Sequence, residues 1–255
     1  MSAYPAKRVE IARICPPGSS GLSVLCLPHA GGSAEWYSCW REASLSLGVG
    51  LSAVRYPGHI GLFSAPFADS IEQLASLVVA RLGGELGGTV LFGHSMGALA
   101  AYECARQAQE KGLAFEQVHL SGSRAPCCPV ASPRAGLPDA LLVGSIGELD
   151  PTAPNALESP EIADALLPVL RSDLRIGEGY RREPQAAAGL LHVHVATEDP
   201  EFSPQDVEGW RPYARDGIVK HVHRGDHFYL RDAGEGVIST FLEARSLANR
   251  QGGCE

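Results

Sequence analysis

Residues 91–100 read LFGHSMGALA. An apolar pair runs into Gly93, and beyond Ser95 the chain passes through Gly97 into the small residues Ala98 and Ala100. One serine between two glycines, after an apolar run and before a small-residue helical pattern, suits a sharp strand-to-helix turn. Glycines there carry no Cβ to clash, and such a turn lifts the hydroxyl above a sheet at the positive end of the next helix. The pentapeptide alone also fits an ordinary loop, so the flanking sequence decides.

Short β-branched or apolar runs ending in Gly, Pro or Ser recur at 23–32, 50–58, 89–95, 117–126, 190–200 and 218–227, with helical patterns at 33–47, 70–84, 96–111 and 232–247 between most of them. Alternating strand and helix predicts an α/β fold: a mostly parallel central sheet with helices on both faces. Chemistry in such sheets sits in loops at the carboxyl ends of the strands, where this sequence carries His29, Ser95, Asp199 and His227. The alternation breaks between about 126 and 188. A proline-rich start (Pro126, Pro129, Pro133, Pro138) leads into two helical patterns, LPDALLVGSIGEL and SPEIADALLPVLRSDLRIGEGYR. Residues 1–125 and 188–255 are therefore read as core, and 126–187 as a helical insertion covering the site as a lid; a structural subdomain without gating is the competing reading. Ile162, Ala165, Leu166, Val169 and Leu170 fall on one side of the second helix, and Leu166, Val169 and Leu170 are expected to line an acyl chamber.

The 255 residues are 45% hydrophobic and 20% charged, an ordinary globular composition. A net charge of −8 argues against nucleic acid, and the sequence holds no apolar run of about 18 residues that would span a membrane. Seven cysteines in no framework spacing suit a reduced cytosol, so a cytoplasmic location is expected; the chain is also expected to be a monomer. No motif for a nucleotide or metal stands out, and no cofactor is expected. His192, His194, His221 and His223 alternate on two runs; they cluster if those strands are neighbours, but packing is the commoner role for such residues.

A serine nucleophile needs a base, and the base an orienting group. His227 lies in a turn after the last strand, with Gly225 allowing a tight bend. His29 and His94 border the site, but each sits beside backbone that must form the pocket. The acid should follow the preceding strand: Asp199 does, with Glu198 one residue away as competitor, and Asp226 reads as a loop cap. The order Ser95, Asp199, His227 is that of the α/β-hydrolase fold. Oxyanion donors are expected from the backbone N–H of Met96 and of Ala30, where Gly31 and Gly32 allow close approach.

The stretches LPHAGGSA, YPGH, GHSMGALAAYE, LPVLRSDLRIGEGYR, EDPEFSPQDVEGWRPYA and GDHFYL together resemble a type II thioesterase of polyketide or non-ribosomal peptide synthesis. The resemblance runs from about residue 27 to 230. It implies hydrolysis of acyl groups from the phosphopantetheine arm of acyl or peptidyl carrier protein domains, clearing stalled or mis-primed synthases, with Ser95, Asp199 and His227 as triad. One departure stands at YPGHIGL, where His59 and Leu62 occupy positions at which family members commonly carry arginines. Arg171, Arg175, Arg181 and Arg182 put cations in the insertion of an otherwise acidic chain; Arg171 and Arg175 are the candidate contacts for carrier or phosphopantetheine, against a solvated helix face paired with Asp173, Glu178 and Glu183. An esterase or acyltransferase using the same triad on a small molecule, and a non-catalytic carrier-binding protein, are the alternative functions.

Overall fold

Alternation of side chains along each apolar run is what builds the two faces of the fold. In the computed structural model, which describes residues 6–84, 86–150, 159–186 and 189–252, β2 (Ser23–Leu27) sends Val24 and Cys26 into one hydrophobic cluster and Leu25 and Leu27 into the other. A period of two with both faces apolar marks a strand covered on each side. The same holds for β3 (Gly50–Arg55) and β4 (Thr89–His94), whereas β5 (Gln117–Ser121) and β6 (Leu191–Ala196) are buried on both sides with one apolar face and one carrying Gln117, His119 and Ser121 or His192 and His194. With β1 (Glu10–Cys15) and β7 (Ile218–His223) they form a seven-stranded sheet in the order β1-β3-β2-β4-β5-β6-β7. Every pair is parallel except β1–β3. β1 is an addition to the strands read from sequence.

One face carries α2 (Ile71–Leu82), α3 (Met96–Glu110) and the second insertion helix; the other carries α1 (Arg41–Ser46) and a long C-terminal helix. The pattern at 33–47 resolves into a 3-10 segment, Ala34–Trp40, followed by α1. The insertion contributes α4 (Asp139–Gly147) and α5 (Pro160–Gly179), and the C-terminal helix is α6 (Gly234–Gly252). Residues 151–158 and 187 of the expected insertion, Cys254, and the extreme ends of the expected core lie outside the described residues. Among the described residues no helix is long and apolar enough to cross a membrane.

The insertion is tied to the core at its C-terminal end by a buried acid. Glu103 on α3 accepts from Arg106, Gln107 and the Tyr180 hydroxyl, the last at 2.7 Å, and pairs with Arg182. Burial disfavours its charge, but these donors outweigh that and hold its pKa down to about 2. Arg182 is thus an internal strut.

On the opposite face, β5, β6 and β7 bring five histidines together. His119 Nε2 bonds Gln117 Oε1 at 2.8 Å, His119 Nδ1 bonds His194 Nε2 at 2.9 Å, and His194 Nδ1 bonds His223 Nε2 at 3.0 Å. Because the Gln117 amide nitrogen donates to Phe241 O, its oxygen must accept, and each ring in this row donates through Nε2. His192 and His221 form a second row, 3.0 Å between Nδ1 and Nε2, stacked on the first with ring centroids 4.3 Å (His119–His192) and 4.4 Å (His194–His221) apart. One nitrogen from each of His119, His192 and His221 lies within 4.8 Å of the others, but the rings stack nearly parallel and both His119 nitrogens are already engaged, with Gln117 and His194. Burial lowers the pKa of all five: His119 and His194 fall far below the usual value, and His192 and His223 to about 4. Groups charged more readily in the unfolded chain contribute stability above the unfolded pKa, about 6.5, and that stability is lost as pH falls toward the folded value. The urea midpoint should therefore fall between about pH 6.5 and 4. It should fall less steeply in a His192→Gln/His221→Gln variant; parallel pH profiles would remove the stack as the cause.

Candidate active site

β4 leads into α3 through a single residue of unusual conformation. Ser95 has φ 55° and ψ −121°, and among the described residues it is the non-glycine with positive φ. Holding such a residue costs about 1–3 kcal/mol, which surrounding packing must offset. That packing is backbone against backbone. A Cβ on Gly93 would stand 2.0 Å from Gly97 O, and one on Gly97 would stand 2.1 Å from Leu27 O. Ser95 N–H donates to Ser121 O at 2.8 Å, which locks the turn to β5. Met96 is the first residue of α3, where N–H groups have no partner within the helix. Ala30, Ser95 and Met96 line one cavity of about 410 Å³.

His227 and Asp199 meet beside this turn. Asp199 Oδ2 lies 2.8 Å from His227 Nδ1, with both side chains buried. A carboxylate only accepts, so Nδ1 carries the hydrogen and Nε2 keeps its lone pair. Oδ1 accepts from the amides of Glu201 (2.8 Å) and Phe202 (3.3 Å), which fixes the carboxylate. Glu198 uses only its backbone here, its N–H bonding Gly225 O, while its side chain is exposed. The choice between the two acids therefore resolves to Asp199 for contact with the imidazole. Asp226 Oδ1 accepts from Phe228 N, the loop-capping role expected of it. Gly122 fits the imidazoles together: a Cβ there would meet His94 at 2.7 Å and His227 at 3.4 Å.

His94 packs on His227, with centroids 4.9 Å apart and its Nδ1 on Ser121 Oγ at 3.0 Å, and His29 packs in turn on His94 and Phe228. Burial, reinforced by neighbouring positive groups, lowers His29 to about 3 and pushes His94 well below the usual imidazole range. Both are neutral packing groups at pH 7.

The insertion supplies one wall of the cavity, with corrections to the residues. Asp173, Leu174, Gly177 and Glu178 of α5 line it, together with the 126–132 loop. Leu166, Val169 and Leu170 do not: Leu166 and Leu170 share the lining face but lie on earlier turns, and Val169 points about 100° away from Leu170. Leu170 instead packs on Gly31, 3.1 Å from where a Cβ would stand, while Ile162 and Ala165 are exposed. Arg171 braces the insertion internally, bonding Ala135 O at 2.8 Å and the Asp139 carboxylate. Arg175 is exposed and outside the cavity lining, near enough to Asp69 to help lower its pKa. The cations at the cavity are Arg124, Arg134 and Arg181. Arg134 pairs with Glu201, whereas the Arg181 guanidinium bonds the carbonyls of Glu178 and Tyr180. Arg134 lies in the proline-rich stretch and Arg124 just before it, where sequence pattern assigns no direction to a side chain.

The thioesterase domain model matches residues 23–244. A thioesterase PikA5 from Streptomyces venezuelae is 33% identical over 226 residues, covering 87% of this chain and 80% of that protein. Among solved structures, the type II thioesterase BorB of the borrelidin cluster superposes with a TM-score of 0.80 at 31% identity, covering 91% of this chain and 97% of that one. YbtT, a type II thioesterase of the yersiniabactin pathway, superposes at 0.83 with 26% identity, covering 91% and 96%.

The elbow carries a structural prediction. Gly97→Ala forces backbone apart at Leu27 and should destabilise by about 3 kcal/mol or more, at the upper end of overpacking costs. Ser95→Ala, which adds no atom at the turn, should melt within a few degrees of wild type. Calorimetry compares the two, and a Gly97→Ala protein of unchanged Tm would contradict the close approach.

Proposed function

The chain belongs to the thioesterase family and is a type II thioesterase, a hydrolase acting on thioesters, and from that premise we propose how its residues act and on what. Ser95 Oγ attacks the thioester carbonyl carbon while His227 Nε2 takes its proton. The oxyanion of the tetrahedral intermediate accepts from the N–H groups of Met96 and Ala30. The intermediate collapses, the C–S bond breaks, and the thiolate leaves with the proton from His227. Water, deprotonated by the same imidazole, then attacks the acyl-serine and returns the serine hydroxyl. Asp199 holds the tautomer and stabilises the imidazolium. The observation that carries this reading is the 2.8 Å bond from His227 Nδ1–H to Asp199 Oδ2 beside the Ser95 turn.

The substrate is an acyl group on the phosphopantetheine arm of a carrier protein domain, and the biological task is removal of stalled or mis-primed acyl groups. The kinship with thioesterases of polyketide and peptide synthesis supports this. So does a cavity of about 410 Å³, within the usual span for sites that enclose a small ligand. Arg181 at the cavity is the candidate for the arm's phosphate, because its guanidinium bonds carbonyls and makes no ion pair among the described residues. The insertion acts as a cover whose α5 wall bounds the acyl chamber.

Two measurements test the reading. Asp199→Asn should lower kcat by about 10⁴, while Glu198→Gln stays near wild type; the reverse order would overturn the assignment. A propionyl group on a phosphopantetheinylated acyl carrier protein should be hydrolysed with higher kcat/KM than propionyl-N-acetylcysteamine, because binding of the remote arm is used at the reacting centre. Arg181→Glu should raise KM for the carrier substrate and leave the truncated one unchanged. Equal kcat/KM for both substrates would remove the carrier and leave a general esterase.

A further inference from the structure

The YPGHIGL segment, where His59 and Leu62 stand at positions commonly held by arginines, is not an idle departure. Leu62 is buried and closes its own loop, its N–H donating to His59 O at 2.7 Å and its carbonyl accepting from Gly58 N at 3.1 Å. His59 is 3% exposed, and its Nε2 lies 2.8 Å from Asp173 Oδ2. The same carboxylate oxygen accepts the N–H of Gly31, also at 2.8 Å. Because a carboxylate only accepts, His59 donates through Nε2–H. Tyr56 closes the remaining side: its ring meets the His59 ring edge-on, centroids 5.4 Å apart, and its hydroxyl bonds Pro28 O at 3.0 Å. One oxygen on α5 thus joins the loop after β2 to the loop after β3.

The loop after β2 carries the expected oxyanion donor. Gly32 N–H bonds His29 O at 2.9 Å, so residues 29–32 form a four-residue turn with Ala30 and Gly31 at its centre. Gly31 has φ +72° at the third position, the left-handed conformation a type II turn requires there. In such a turn the closing bond leaves the third residue's N–H without a partner inside the turn, and here Asp173 accepts it. The bond fixes the peptide plane that follows Ala30. Leu170, one turn earlier on α5, packs against the same glycine, with its Cδ1 3.1 Å from where a Cβ would stand. Two contacts three residues apart therefore press one helix face onto this turn.

We propose that Asp173 is the positioning residue of the oxyanion hole, and that His59 holds its carboxylate for that task. The hole is then shaped only while α5 is docked. Withdrawal of the insertion takes the acceptor from Gly31, frees the peptide beside Ala30 and misaligns the donor. A cavity open to water is thereby a poorly reactive one, and full transition-state stabilisation is reached once the insertion closes. This inference rests on the reading of Ser95 as nucleophile and Ala30 as donor.

An alkylboronic acid separates positioning from simple lining of the cavity. The Ser95 oxygen adds to boron, its proton passes to His227, and one boron hydroxyl occupies the hole; octanoyl-pantetheine binding to a Ser95→Ala protein reports the ground state alone. Misplacing a reacting group by about 1 Å costs about 10²-fold. Asp173→Leu should therefore weaken inhibition by butylboronic acid by about 10–100-fold and lower kcat in parallel, with octanoyl-pantetheine binding to the Ser95→Ala/Asp173→Leu protein within twofold of Ser95→Ala. Asp173→Asn keeps an oxygen that accepts both donors, so it should retain boronate affinity within about fivefold of wild type, far above the leucine variant. His59→Leu should fall between the two. Melting curves confirm that each variant is folded. Unchanged boronate affinity in Asp173→Leu would overturn the proposal, as would an equal loss of boronate and octanoyl-pantetheine binding, which would leave Asp173 as a wall residue. If butylboronic acid binds the wild type no more tightly than Ser95→Ala, read by calorimetry, the serine mechanism itself falls and the proposal with it.

Discussion

The approach of α3 to β2 and β4 at Gly93 and Gly97 is the constraint on which the rest depends. There is no room for a Cβ at either residue, so the chain turns from strand to helix within one residue and Ser95 alone takes the strained conformation. Close approach then demands small side chains along the helix. Ala98, Ala100, Ala101, Ala105 and Ala108 supply them and are all buried. The elbow projects its hydroxyl at the carboxyl edge of the sheet, and parallel neighbours deliver their loops to the same edge. Ala30 after β2, Asp199 after β6 and His227 after β7 arrive there because the strands run in one direction.

The insertion is held to this edge by buried carboxylates as well as by the apolar packing of Val169, Leu170, Ile176 and Tyr180. Glu103 gathers Tyr180, Arg182 and Arg106 at the C-terminal end of α5. Asp173, two turns earlier, gathers Gly31 and His59. Both carboxylates are buried, and a buried charge is tolerated only where donors converge on it. The half of α5 before these anchors is different: Ile162 and Ala165 face solvent. The helix is fastened where it borders the cavity and looser where it does not.

The fold was readable because its signals are short-range. Gly93 and Gly97 around Ser95 and the period-two alternation of β2 to β6 each follow from local sterics and burial. The triad order came from placing Asp199 and His227 just after late strands, and Glu198 remained a competitor because strand ends are uncertain by a residue. What separates the two acids is tertiary: Asp199 turns in to His227 and is clamped by the amides of Glu201 and Phe202, while Glu198 turns out to solvent, and such backbone donors leave no mark in sequence. The insertion was legible as helical but not in its docking. Leu166 and Leu170 share the correct face, yet which turn meets the cavity depends on where α5 crosses the sheet. Arg171 and Arg175 looked like free cations because their partners, Asp139 and the solvent, are set by tertiary placement. β1 pairs antiparallel at an edge, where a single strand without a following helix breaks the alternation used to find the others.

His227 is surrounded by imidazoles, and their neutrality matters to its chemistry. His29 and His94 contact the same aromatic cluster as His227. Burial keeps both uncharged, His29 down to about 3 and His94 far below its usual range, and neither His29 Nδ1 nor His94 Nε2 has a hydrogen-bond partner among the described residues. A proton arriving from Ser95 therefore has one favourable resting place. Only His227 faces a buried carboxylate fixed by two amides, so the imidazolium formed during attack is stabilised there and not on its neighbours. Were His94 charged, its ring 4.9 Å away would repel that imidazolium in a low-dielectric setting, where like charges at this distance cost far more than in water. Exclusion of charge from the surrounding rings is thus the counterpart of its concentration at Asp199, and together they let a cluster of similar side chains contain a single base.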